Sequence, residues 1–202
     1  MKRKILLPEN IEDITLLQYQ RFEALKDRDL DAVSFGKRVI EIFTDLKYRD
    51  IDKMHFADYE DIINQINKAL SQKVEFKDTF HINDVEFGFI PNFDEITTAE
   101  YVDINHNGLE LENMHKLMAV LFRPIKNKDV FGNYEIDEYD GTGKYADVMK
   151  YTPLNIVNGA LVFFWNLSRE LRNNIQKSTE EVRQRVKRQE DILRSGDGTL
   201  QS

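Results

Sequence analysis

The spacing of apolar residues changes at residue 74, and this change constrains the fold more than any other feature of the sequence. Before it, apolar positions recur every three or four residues. Leu16, Leu17, Phe22 and Leu25 do so within DITLLQYQRFEAL, where Asp13 is placed to cap. Val39, Ile40, Phe43 and Leu46 form one stripe in Leu30–Leu46, and Tyr59, Ile62, Ile63, Ile66 and Leu70 form another in Asp58–Gln72. Such spacing predicts three helices that each bury one face. From Val74 to Pro91 the sequence VEFKDTFHINDVEFGFIP alternates instead, with Asn83-Asp84 as turn chemistry between two runs. That pattern predicts a β-hairpin. Two periods in one chain imply an α+β fold, mostly α-helical, with a small β-hairpin or sheet.

Downstream, 93–104 and 111–123 read as short helices, the second stopped by Pro124. NYEIDEYDG (133–141) is an alternating strand candidate and YADVMKY a short helix. Thr152 is placed to cap a long C-terminal helix with Pro153 at its first position, running to about Arg194. Its first half, IVNGALVFFWNL, is apolar nearly all round and predicts burial of Ile156, Leu161, Phe163, Phe164 and Leu167. Its second half keeps only a thin stripe of Ile175, Val182, Val186 and Leu193. A thin stripe does not hold a lone helix in place, so it implies pairing with another chain, including a second copy, or projection into solvent. The expected organisation is a mixed domain over 1–151, this helix over 152–194 and a disordered tail over 195–202.

Composition narrows the function. The chain has 202 residues, enough for one medium-sized domain and an appendage, and 41% of them are hydrophobic. It has no cysteine, which excludes disulfides and thiolate metal sites. No apolar run approaches the 18 residues or so that a membrane span needs, and MKRKILLPEN has too short an apolar run for a signal peptide. The formal net charge is −8 and unevenly placed: Asp78–Asn113 holds nine acidic residues and no Lys or Arg. Such a span repels nucleic acid and suits a basic protein partner. Residues 172–194 are mixed in sign, seven basic against four acidic, with no interleaved aromatic for base stacking.

Motifs for chemistry fail on their second halves. DINHNGLELENM (103–114) begins as a calcium loop, but Met114 stands where a bidentate carboxylate must close the coordination sphere. Asn105, Asn107 and Gly108 read instead as a helix end. GTGK (141–144) has Glu138 where a phosphate loop needs its first glycine, and Tyr145 in place of the Ser or Thr that would hold magnesium. The four histidines lie in four elements without metal-ligand spacing, and no nucleophile elbow occurs. The expectation is a protein that is not an enzyme and uses no cofactor or metal.

FGFIPNFDEIT, AEYVDI and MHKLMAVLFRPI, followed by MKYTPLNIVNGALVFFWNLSREL and preceded by LPENIEDITLLQYQRF, together resemble tail assembly chaperones of tailed bacteriophages. The resemblance touches most of residues 5–171. It departs at Thr98-Ala99, where the similar proteins often carry a Gly before the glutamate, and in the charged C-terminal extension. It implies a non-enzymatic assembly factor in the infected bacterium's cytoplasm that binds the long helical tape measure protein. The alternative is a structural component of the virion, in its neck, tail or interior, using the C-terminal helix as an interface. Partner contacts are expected at Glu86, Phe89, Asp94, Glu95, Glu100 and Tyr101, where acids sit beside aromatics, and along Ile175, Val182, Val186 and Leu193.

Overall fold

The computed structural model describes residues 5–92, 95–108 and 110–164, with Arg183 and Lys187 beyond them. The chain divides into two compact units, Met1–Leu161 and Val162–Ser202.

The first unit opens with helices α1 (Leu16–Lys26), α2 (Ala32–Phe43), α3 (Tyr48–Ile51) and α4 (Phe56–Leu70). The starts of α1 and α2 follow capping chemistry. Thr15, not Asp13, caps α1 in a reciprocal box with Gln18, whose side chain also donates to the carbonyl of Ile42. Asp13 serves the turn before it, accepting from the amides of Glu9 and Asn10. Asp31 caps α2 by accepting from Val33 and Ser34. The expected stripes face inward: Val39, Ile40, Phe43 and Leu46 are buried, as are Ile62 and Ile66. Phe22 packs against Phe35 and Phe43.

The hairpin forms with its turn at Asn83-Asp84, from β1 (Thr79–Ile82) and β2 (Val85–Phe89). It is half of a four-stranded antiparallel sheet ordered β1-β2-β3-β4, completed by β3 (Phe122–Lys128) and β4 (Tyr134–Ile136). Between the hairpins lie α5 (Thr98–Asn107) and α6 (Met114–Leu121), and after them come α7 (Ala146–Met149) and α8 (154–164). One sheet face carries Phe80, Phe87, Phe89 and Phe122, all buried and in edge or stacked contact at 5.1–5.6 Å between ring centres. Burying each such ring contributes roughly 1.5–3 kcal/mol. On the opposite face Tyr134 lies across Gly88: a Cβ there would come within 2.5 Å of its ring. The Tyr134 hydroxyl donates to the carbonyl of Phe89 at 3.0 Å.

Three expectations need correction. The helix over 111–123 ends at Leu121, and Phe122 to Lys128 is an interior strand that includes Pro124. Pro124 keeps its carbonyl in play by accepting from the amide of Asp137 at 2.8 Å. Thr152 does not cap the last helix; its backbone carbonyl accepts from Leu16, its hydroxyl faces the Met149 sulfur, and the helix starts at residue 154. Within that helix Ile156 is buried, while Leu161, Phe163 and Phe164 are half-buried. Leu167, the extension of the helix to about Arg194 and the 195–202 tail lie outside the described residues.

Candidate partner-binding surface

Helix α5 carries the centre of the acidic span. It starts at Thr97, whose hydroxyl accepts from the amide of Glu100 while the Glu100 carboxylate accepts from Thr97 in return. Glu100 is thereby turned inward. It is only 4% exposed, and Arg123 of β3 donates to it at 2.5 Å. Burial alone would raise its pKa, but the Thr97 hydrogen bonds and the Arg123 guanidinium hold it below the usual carboxylate range. Tyr139 stacks over the Arg123 guanidinium and its hydroxyl hydrogen-bonds Asp103. The buried Nε of Arg123 has no acceptor.

The stretch that begins like a calcium loop is the last part of this helix. Asp103 is taken by Tyr139, and the side-chain amides of Asn105 and Asn107 donate to the carbonyls of Tyr101 and Asp103. Gly108 ends the helix at φ 55°, a conformation that disfavours any side chain. Among the described residues no group of three His, Asp or Glu is placed to hold a metal ion. GTGK is likewise structural: Lys144 and Tyr145 both bond Asp137, which Lys126 also pairs, and these three donors hold its carboxyl well below the ordinary range.

The expected contact residues therefore separate. Phe89 is 5% exposed inside the aromatic cluster, and Glu100 is consumed by its cap and ion pair, so neither is offered to a partner by this surface. Glu86 is paired with Lys128 at 2.7 Å. The 78–113 span lacks cations in sequence, yet β3 supplies two in space. Glu95 is exposed, and so is Tyr101 at 60%, next to Val102 at 54%. Asp94, Ile175, Val182, Val186 and Leu193 lie outside the described residues. The surface of α5 is thus a small apolar pair, Tyr101 and Val102, on a helix pinned from behind.

Sequence reasoning missed the β3–β4 turn. There Val130 and Phe131 are 94% and 88% exposed, the most exposed large apolar side chains among the described residues. The available signal was an apolar pair enclosed by turn formers, Asp129 before and Gly132-Asn133 after. No helix among the described residues is long and apolar enough to cross a membrane. Comparison with protein-family models, with curated proteins and with solved structures found no match.

Proposed function

We propose that this protein is a non-enzymatic assembly factor of a tailed bacteriophage, a tail assembly chaperone that shields the long helical tape measure protein in the host cytoplasm. The observation that carries the reading is the rigid presentation of Tyr101 and Val102 on α5. The helix is anchored by the buried Glu100–Arg123 pair and by Tyr139, so its backbone need not be ordered on binding. Exposed Glu95, Glu110 and Glu112 along the same stretch favour a partner with basic residues beside its apolar stripe. The resemblance of FGFIPNFDEIT, AEYVDI and MHKLMAVLFRPI to such chaperones supplies the identity of that partner.

The test is co-expression with the cognate tape measure protein and a pull-down at low and high salt. The wild-type chain is expected to raise the soluble fraction of the partner. Tyr101→Ser/Val102→Ser should weaken the complex about tenfold, the effect of losing about 1.4 kcal/mol of contact. A tape measure equally soluble with and without this chain would sink the chaperone reading. Stoichiometric recovery of the chain from purified particles would replace it with a structural role in the virion.

A further inference from the structure

The β1–β2 and β3–β4 turns lie at the same end of the sheet, because β2 pairs antiparallel with β3 and the two hairpins run side by side. That end exposes Val85 as well as Val130 and Phe131. The turn bearing the last two is held rigidly by one side chain. Asp129 accepts from the amides of Phe131 and Asn133 at 2.8 and 2.9 Å and from the Asn133 side chain at 2.7 Å, and its own amide donates to the Asn133 carbonyl. Gly132 sits at φ 90°, which glycine alone adopts freely. A mobile loop could fold such side chains back; this one holds them out.

The charges around the apolar tip are predominantly negative. Asp84, Glu86, Asp129 and Glu135 flank it; of the two nearby lysines, Lys128 is paired with Glu86 and Lys126, opposite Val85, with Asp137, so the unpaired charges there are carboxylates. An anionic membrane surface is repelled by that balance. A helix with a hydrophobic stripe bordered by Lys or Arg matches it on both counts. We infer that the turn end of the sheet is a docking surface for a basic amphipathic helix of another protein, with Phe131 as its central anchor. Phe131 offers roughly 150–200 Å² of apolar surface, well short of the ~800 Å² a stable partner buries. The exposed Val85 and Asp84 of the neighbouring turn therefore belong to the same contact. This surface is separate from the face of α5 and stands or falls without it.

The experiment measures binding of a fluorescent Leu/Lys amphipathic helical peptide to the full-length chain at physiological salt. A Leu/Glu peptide of the same pattern and phosphatidylglycerol vesicles serve as the other probes. The Leu/Lys peptide is expected to bind and the other two are not. Val130→Ser/Phe131→Ser should weaken binding tenfold or more, as loss of an interface anchor does. Asp84→Asn should weaken it about threefold and reduce its salt dependence. The Val130→Ser/Phe131→Ser loss should be as large in a Tyr101→Ser/Val102→Ser background, where the α5 face is removed, which separates the two surfaces. Peptide binding that survives the Val130/Phe131 change in that background, or is absent from the wild-type chain, overturns the inference. Co-sedimentation with the vesicles replaces it with a membrane-directed tip.

Discussion

Helix α5 and the β3–β4 turn invert the ordinary rule of burial in opposite senses. In α5 a carboxylate lies inside; at the turn a valine and a phenylalanine stand outside. The difference is one of available partners. Glu100 is buried because Thr97 and Arg123 satisfy it there, whereas Val130 and Phe131 project beyond the end of the sheet with no core to enter. A buried carboxylate whose oxygens both find donors serves the fold. An exposed apolar pair held by its turn is proposed here to serve a partner outside it.

The comparison breaks first at the ion pair. Glu100→Gln leaves Arg123 buried without its counter-charge and should cost about 3–5 kcal/mol in denaturant unfolding. Glu100→Gln/Arg123→Met should recover much of that loss. The same pair sets a pH signature. Because the folded pKa of Glu100 is depressed, its contribution is complete above the unfolded value of about 4.3 and fades as pH falls towards the lower folded value. The single variant should therefore flatten the stability profile below about pH 4.5. If Glu100→Gln costs under about 1 kcal/mol, the inward carboxylate is not structural and the contrast fails.

The second test concerns the sheet that carries the turn. Gly88→Ala drives a methyl into the Tyr134 ring, which is fixed by its bond to Phe89, and should cost about 1–3 kcal/mol. Thermal unfolding of Gly88→Ala beside Gly88→Ala/Tyr134→Leu checks it, since the smaller side chain should return part of the loss. The smallest effect is expected at the tip. Val130→Ser/Phe131→Ser should change stability by less than about 0.5 kcal/mol, as for other exposed positions. A larger loss would mean that these side chains serve the fold after all.

How much of this was legible in the sequence varies with the range of the interaction. Helices α1, α2 and α4 and the β1–β2 turn were readable, because apolar period and turn chemistry are local. The end of α6 was not: MAVLFRPI continues apolar across the boundary, and a buried helix and a buried strand look alike in such a run. The acidic span misled for a related reason. Nine carboxylates without a cation describe residues 78–113 in order, but in the fold Lys128 reaches Glu86 across the β2–β3 pair and Arg123 of β3 reaches Glu100 on α5. Phe89 read as surface for want of Phe122, whose strand was missed. Tyr101 on α5 and Glu95 ahead of that helix are both exposed.

The contact between Ile14–Leu17 and Lys150–Leu154 has a consequence in time. The amides of Leu16 and Leu17 donate to the carbonyls of Thr152 and Lys150, and Leu154 donates back to Ile14. During synthesis the first helix must wait for the far end of its own unit before these bonds can close. At 5–20 residues per second that delay lasts roughly 7–27 s. Until then Ile14 and Leu16, both fully buried in the finished unit, remain open to whatever else the cell presents. A protein proposed to shelter another chain is thus, for those seconds, in need of shelter itself.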